Sequence, residues 1–184
     1  MDIDAVNLST EAVRECFRKL RAGDSVSLSA YVYTARDAAH KKIRKLMNHG
    51  QEPPFPINGA MIYYAGPTPA KNGMVIGSCG PTTSSRMDLY TPELYSMGLL
   101  ATIGKGERSE KVVASCKENG AVYFCAIGGA GALAAKCITE NEVIAFEELG
   151  CESVKRLKFE NFPLIVAVDS HGNNIFEKRR LNHE

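Results

Sequence analysis

The fold is decided by residues 99–127, which read LLATIGKGERSEKVVASCKENGAVYFCAI. The apolar run Leu99–Ile103 predicts a strand that passes into the turn Gly104-Lys105-Gly106. Residues 108–118 are predicted to form a helix ended by an Asn-Gly pair, and Val122–Ile127 predicts the next strand. A strand, a helix and a strand in this order are typical of an α/β protein with parallel strands.

The same alternation continues on both sides of this stretch. Predicted helices over residues 8–21 and 36–48 flank an alternating strand at residues 25–33. Further strands are predicted at Ala60–Ala65, Met74–Ile76, Val143–Phe146, Leu157–Phe159 and Leu164–Val168, and further helices at residues 92–97 and 128–137. Because no linker divides the chain, we predict a single α/β domain over residues 1–184.

Charge and hydropathy exclude several classes of partner. Lys and Arg total 22 against 21 Asp and Glu, a net charge of +1, so we expect neither nucleic acid nor a membrane as partner. The basic run at residues 41–45 is typical of a solvated helix face. No apolar run reaches the roughly 18 residues that span a bilayer. The acidic start Met1-Asp2-Ile3-Asp4 lacks a signal pattern, so we expect the cytoplasm.

The cysteines are spread along the chain and form no C-x-x-C pair. They are Cys16, Cys79, Cys116, Cys125, Cys137 and Cys151. Zinc and iron–sulfur sites usually show closely spaced pairs, so we expect most of these thiols to be small buried apolar groups. The sequence therefore predicts no metal ligands in this chain.

Polar side chains follow several predicted strands, where α/β sheets commonly place ligands. Arg36 follows the strand at residues 25–33, residues 82–86 follow the predicted strand at Met74–Ile76, and Lys105 lies between two glycines. Two arginines, a lysine and several hydroxyl groups predict an anion pocket, because a guanidinium binds a carboxylate through two parallel hydrogen bonds.

Each of these groups also has a plainer interpretation. Arg36, Asp37 and His40 could form only a cap and an ion pair at a helix start. Residues 80–86 could be a turn that leads into a helix, and Lys105 could be a solvated side chain in a tight turn.

Two other motifs favour structural roles. The run Gly128-Gly129-Ala130-Gly131 departs from the G-x-G-x-x-G pattern, so close packing of a helix on a strand is the better interpretation than an anion site. His171 lies in Asp169-Ser170-His171-Gly172-Asn173, which is typical of a turn.

Taken in order, six segments resemble one family. They are Tyr33–His40, Tyr64–Pro67, Gly80–Asp88, Gly104–Gly106, Phe162–Val166 and Asp169–Asn173. Together they resemble the beta subunit of class I iron–sulfur fumarate hydratases, the C-terminal domain of the single-chain forms, and the beta subunit of L-tartrate dehydratases. The most specific segment is Gly-Pro-Thr-Thr-x-x-Arg-Met, which begins at Gly80.

The resemblance implies a swivelling β/β/α fold and a hydro-lyase reaction, the reversible hydration of fumarate to L-malate. It also implies a partner alpha subunit that carries a [4Fe–4S] cluster on three cysteines, so this chain would not ligate the cluster. The cluster iron would act as a Lewis acid on the substrate. A dimer of alpha–beta pairs is the family expectation, and a homodimer of the isolated chain is an open alternative.

Mapped position by position, the family's pocket residues fall on Arg36, Thr82, Arg86 and Lys105. The three cations would hold the substrate carboxylates and offset the charge that develops next to one of them. Thr82 would take the proton, although a threonine hydroxyl is a poor base unless nearby cations stabilise its alkoxide. Asp37, His40 and Thr83 would orient these groups or close the site.

The substrate is less sharply indicated than the reaction. Residues 84–92 resemble fumarases, whereas residues 164–174 also resemble tartrate dehydratase, whose substrate carries one more hydroxyl. Two further hypotheses are a non-catalytic dicarboxylate-binding module and a regulatory subunit.

Overall fold

The computed structural model describes residues 1–71, 73–126 and 131–177. Its strands are β1 (Asp2–Asp4), β2 (Ser25–Thr34), β3 (Met61–Tyr63), β4 (Ala101–Gly104), β5 (Val122–Ala126), β6 (Ile138–Ala145) and β7 (Val154–Val168). Its α-helices are α1 (Thr10–Lys19), α2 (Asp37–Asn48), α3 (Thr91–Ser96), α4 (Glu110–Asn119) and α5 (Gly131–Lys136), and two 3-10 helices cover Ser84–Met87 and Glu147–Glu152.

The strands form one mixed sheet in the order β1-β2-β3-β4-β5-β7-β6. Strands β1 to β5 are parallel neighbours, and β7 runs antiparallel to β2, β5 and β6. The pairing of β7 with β2 joins the two sides of the sheet, so the ladder from β2 through β3, β4, β5 and β7 closes on itself. The predicted α/β class with parallel strands is confirmed, and the layering agrees with the expected swivelling β/β/α fold.

Local sequence chemistry explains the helix ends. Ser9 caps α1 by accepting a hydrogen bond from the Ala12 amide at 3.3 Å. Pro92 lies in the first turn of α3, where its missing N–H has no intrahelical partner to lose. Gly120 ends α4 in the left-handed conformation, with φ at 66°.

The last third of the chain differs from its prediction. The strands expected at residues 157–159 and 164–168 are parts of one 15-residue strand, β7. Asn161 adopts a positive φ of 53° inside it, so the strand bends there without ending. The strand expected at residues 143–146 begins earlier, and β6 spans Ile138–Ala145.

The predicted strand at Met74–Ile76 is wrong. Residues 74–76 form no strand. The segment is held instead by hydrogen bonds from the Thr68 amide to the Ser78 carbonyl and from the Gly77 amide to the Thr68 carbonyl. Three apolar residues are too few to indicate a strand by themselves, and Met74 and Val75 are exposed.

Two apolar clusters lie on opposite sides of the sheet. One contains Phe17 of α1 together with Leu28, Phe124 and Phe159 from the strands. The other packs α2, α3 and α4 against the second face, with Ile43 among its buried residues. None of the described helices is long and apolar enough to cross a membrane.

Three other predictions concern the cysteines, helix α5 and the number of domains. Only Cys79 and Cys116 are buried among the six cysteines, so the expectation that most thiols are buried is wrong. The reason is that Cys16, Cys125 and Cys137 lie at the margins of the apolar clusters, half-buried.

Helix α5 begins at Gly131, whereas residues 128–130 of the predicted helix lie outside the described residues. That residues 1–184 form one domain stays a prediction.

Candidate active site

The carboxyl ends of three neighbouring parallel strands, β2, β3 and β4, meet at one edge of the sheet. The segment at residues 80–87 crosses this edge. The Thr82 amide donates to the Tyr64 carbonyl at 2.7 Å, just after β3, and the Ser84 amide donates to the Lys105 carbonyl at 2.9 Å, just after β4. The crossing segment is therefore fastened to both strand ends, although no strand precedes it.

Close packing at Gly104 allows this crossing. A Cβ atom at Gly104 would overlap Ser84 Oγ and lie 2.9 Å from Tyr64 Cδ2. The Tyr123 hydroxyl lies 2.9 Å from Ser84 Oγ and 2.8 Å from the Gly106 carbonyl, so it links the segment to the turn after β4. The glycine that ends β4 is thus required by the atoms that pack against it.

Arg86 is held by Asp37. Its Nε donates a hydrogen bond to Asp37 Oδ1 at 2.9 Å, and its Nη2 lies 2.9 Å from Asp37 Oδ2 as an ion-pair contact. Asp37 begins α2, so this pair joins the 3-10 helix Ser84–Met87 to the helix that follows β2. The Arg86 side chain is still 49% exposed and can be reached by a ligand.

Arg36 lies in a slot between loops. It directly precedes α2 in an extended conformation. Its Nη2 lies 3.5 Å from Glu152 Oε1, and a Cβ atom at Gly66 would lie only 2.8 Å from its Nη1. Its Nε is buried and has no hydrogen-bond partner within the described residues.

The His40 side chain forms a hydrogen bond with the backbone of Arg36. Its Nδ1 lies 2.9 Å from the Arg36 carbonyl, and because a carbonyl only accepts, Nδ1 carries the proton. Burial lowers the pKa of His40 to about 4, so the ring is neutral near pH 7. Its Nε2 is buried without a hydrogen-bond partner in the part of the chain that the structure describes.

Lys105, Thr82 and Thr83 also lie on the segments that meet at this edge. Lys105 is exposed, and its ammonium forms no ion pair with a described residue. Thr82 is half-buried and Thr83 is exposed. Thr83 lies in register with Lys105 in an isolated parallel bridge. The chain segments of all seven sequence-predicted residues therefore converge on one edge of the sheet.

Arg108 is a buried arginine, next to the site segments, that the sequence did not indicate. The Arg108 side chain is fully buried and donates to Asp88 Oδ1 at 2.7 Å, to Thr91 Oγ1 at 2.7 Å and to Thr102 Oγ1 at 3.0 Å. Its guanidinium also lies 4.8 Å from the centre of the Tyr123 ring. In the sequence Arg108 resembles any surface arginine, so no local pattern predicted its burial.

Glu152 was also missed. Its carboxylate contacts Arg36 and accepts a hydrogen bond from the Ala38 amide at 3.0 Å, across 114 residues of sequence. No spacing rule connects groups so far apart. The acidic residue could have been found only from the packing of the 3-10 helix Glu147–Glu152 beside α2.

The residues at this edge have the chemistry to bind an anion. Three cations, Arg36, Arg86 and Lys105, lie on the chain segments at this edge together with two threonine hydroxyl groups, and two of the cations contact carboxylates. Among residues 1–71, 73–126 and 131–177, no group of three His, Cys, Asp or Glu side chains is placed to hold a metal ion. The arrangement can bind carboxylates and polarise a ligand without a metal ligand from these residues.

Comparison with known proteins gives the family. Residues 1–179 match the family model described as Fumarase C-terminus. The chain belongs to this family. The resemblance predicted from the ordered motifs is thereby confirmed.

Relatives of this family member carry hydro-lyase names. The chain is 38% identical to fumarate hydratase 2 of Leishmania major over 96% of its own length and 34% of that protein. It is 38% identical to the aerobic class I fumarate hydratase of Escherichia coli over 85% of the chain and 29% of that protein. It is 41% identical to a Methanocaldococcus jannaschii protein provisionally named L(+)-tartrate dehydratase subunit beta, over 88% of the chain and 86% of that protein.

The share of each relative that the chain covers differs greatly. The chain spans about a third of the two fumarate hydratases but most of the subunit that carries the tartrate dehydratase name. It therefore corresponds to one part of the longer proteins and to nearly the whole of the shorter one.

Proposed function

We propose that this chain is the beta-type subunit of a hydro-lyase that hydrates fumarate reversibly to L-malate together with a separate alpha subunit. The observation that supports the proposal is that the chain segments of Arg36, Thr82, Arg86 and Lys105 meet at one sheet edge, in a member of the fumarase C-terminus family. The match to most of a protein named as a beta subunit supports a separate chain.

The three cations would bind the two carboxylates of the substrate. A guanidinium and a carboxylate form paired charge-assisted hydrogen bonds, and Arg36 and Arg86 are held in place for this by Glu152 and Asp37. Lys105 carries a charge that no described residue pairs, so it can offset negative charge that develops on a substrate carboxylate.

Thr82 would exchange the proton in the reaction. When malate is dehydrated, Thr82 Oγ1 as alkoxide takes the proton from the carbon next to one carboxylate. That C–H electron pair forms the double bond, and hydroxide leaves from the adjacent carbon. Hydration reverses these steps. The neighbouring cations would stabilise the alkoxide, because an opposite charge favours the ionised form.

The cluster belongs to the partner in this proposal. The described residues offer no metal site, so a [4Fe–4S] cluster would be ligated by the alpha subunit, where it supplies a Lewis acid for the substrate hydroxyl. The chain then contributes substrate binding and proton exchange. A cytoplasmic location and a dimer of alpha–beta pairs complete the proposal.

The test is an anaerobic assay of the reconstituted complex. The chain is co-expressed with a candidate alpha subunit, the cluster is rebuilt, and fumarate, malate and tartrate are followed with Thr82→Ala and Arg86→Ala. Only the pair should turn over fumarate, and removal of the proton-exchange group should lower the rate by about 100-fold or more. Arg156→Ala, which alters an exposed ion pair with Glu142, is the control and should leave the rate unchanged.

A second candidate is the dehydration of L-tartrate, favoured by the 41% identity to a protein named for it. Turnover of tartrate in place of fumarate would keep the roles of the residues and change the substrate. An assembled complex with an intact cluster and no turnover of any of the three acids would refute both enzymatic proposals and favour dicarboxylate binding or regulation.

A further inference from the structure

Arg36 is oriented by a carboxylate from a distant loop. We propose that Glu152 is the residue that positions Arg36 for the substrate carboxylate and so sets the affinity of the site. This inference rests on the proposed function, since it concerns how one of the substrate-binding cations is held.

Glu152 makes two contacts that belong together. Its Oε1 lies 3.5 Å from Arg36 Nη2, and its Oε2 accepts a hydrogen bond from the Ala38 amide at 3.0 Å. The carboxylate therefore ties the Arg36 side chain to the first turn of α2, where negative charge is also favoured by the helix dipole. The side chains of Arg36 and Glu152 are only 21% and 22% exposed, so solvent screens this pair less than a surface pair.

The loop that carries Glu152 is held firmly. The Lys155 ammonium donates to the Gly150 carbonyl at 3.1 Å and to Ser153 Oγ at 2.5 Å. Thr34 at the end of β2 donates to the Ser153 carbonyl at 3.2 Å and accepts from the Lys155 amide at 3.0 Å. The buried lysine thus ties the loop to β7, and the buried threonine ties it to β2, the strand that precedes Arg36, which makes Glu152 a rigid support.

The opposite wall of the slot leaves Arg36 little freedom. A Cβ atom at Gly66 would lie 2.8 Å from Arg36 Nη1, 3.2 Å from its Cδ and 3.3 Å from the Cys151 carbonyl. Gly66 follows β3, so the guanidinium is enclosed between the end of β3 and the loop of Glu152. A group that is pre-oriented in this way loses less conformational entropy when a ligand binds.

The kinetic test uses the assembled complex and a control from the same loop. Glu152→Gln should lower kcat/KM about tenfold, chiefly through KM, because the arginine still carries its charge but is less well oriented. Glu148→Gln is the matched control: it lies in the same 3-10 helix, pairs with Lys42 on the surface, and should behave as wild type. An unchanged KM in Glu152→Gln would overturn the inference.

A double-mutant cycle separates positioning from general damage. If Glu152 acts through Arg36, adding Glu152→Gln to Arg36→Ala should change KM by no more than about twofold. Full additivity of the two effects would show that Glu152 acts independently of Arg36 and would refute the inference.

A readout without turnover keeps this inference separate from the proposed function. In the full-length chain, nitrogen-15 relaxation of the Arg36 Nε–H group should show an ordered side chain in wild type and Glu148→Gln, and a mobile one in Glu152→Gln. Equal order in all three proteins would overturn the inference, whatever the activity. Loss of order in Glu152→Gln alone would uphold the positioning role even if the complex turned over none of the three acids, in which case the proposed function alone would fail.

Discussion

The structural roles of several single residues in this protein depend on their burial. His40 is a neutral buried imidazole that donates to the Arg36 carbonyl, and Gly104 leaves room for Ser84. In both cases the identity of the residue follows from what packs against it. Two predictions belong to this scale.

The stability of the protein should depend on pH through His40. Burial lowers its pKa from 6.5 to about 4, so between these values the unfolded state binds more protons than the folded state. The stabilisation is fully present above pH 6.5 and is lost as the pH falls towards about 4. We expect the free energy of unfolding to be about 2 kcal/mol lower near pH 5 than near pH 7 from this group, measured by urea denaturation.

The control for the pH prediction is a pair of variants. His40→Phe is expected to be less stable at both pH values, but to lose this part of the pH dependence. His49→Gln, at an exposed position, should keep it. The same acid-induced loss of stability in His40→Phe as in wild type would contradict the assignment.

Gly104→Ala should destabilise the site segment. The added methyl group would overlap Ser84 Oγ and crowd Tyr64, which costs about 1–3 kcal/mol by overpacking. Ser84→Gly in the same chain should restore part of the loss. Gly80→Ala is the matched control, because the nearest described atom, Gly131 Cα, would lie 3.5 Å from its Cβ, an ordinary contact distance. Thermal melts of the four proteins test the ranking, and equal melting temperatures for the two alanine variants would refute it.

At the scale of elements, one buried arginine connects the pieces around the site. Arg108 precedes α4 and contacts Asp88 after the 3-10 helix, Thr91 at the start of α3 and Thr102 in β4. Asp88 Oδ2 also accepts a hydrogen bond from the Ser109 amide at 2.6 Å, just before α4. The 3-10 helix that contains Arg86 and the turn that contains Lys105 are therefore positioned by one polar network around Arg108.

Asp88→Asn should be strongly destabilising. It removes the anionic partner of a fully buried guanidinium, and an uncompensated buried charge costs about 3–5 kcal/mol. Glu142→Gln removes a carboxylate from an exposed pair with Arg156 and should leave stability unchanged. Urea denaturation of both variants measures the contrast. Equal midpoints would show that the buried network contributes little.

At the scale of the whole molecule, the sheet closes through β7. This strand pairs with β2, β5 and β6, so β2, β3, β4, β5 and β7 form one closed set of paired strands. Strands β1 and β6 each have a single neighbour among the described strands. All four residues of β4 are buried; Ala101–Ile103 pair with both β3 and β5, and Gly104 pairs with β5. The stability of the sheet should therefore fall from its centre to its edges.

Hydrogen exchange should reveal this gradient. Amides of β4 are expected to exchange only through global unfolding, and those of β6 through local opening, because five consecutive residues of β6 are exposed. Native-state exchange in increasing urea distinguishes the two, since only global opening depends steeply on denaturant. Equal protection and equal urea dependence in β4 and β6 would contradict the prediction.

The sequence by itself determined the local elements and the family. The alternation of β2, the apolar stripes of α1 and α2 and the Gly that ends α4 depend on neighbours a few residues away, so the pattern predicted them. The sequence also contains the ordered motifs in which Arg36, Thr82, Arg86 and Lys105 lie.

Only the tertiary structure decided how these pieces meet. It joined two predicted strands into β7, removed the one at Met74–Ile76, and brought Glu152 to Arg36 and Asp88 to Arg108. The physical reason is that an ion pair or a long strand depends on which distant segments the topology places side by side. A buried arginine and an exposed one look the same in a sequence, because burial belongs to the packed molecule.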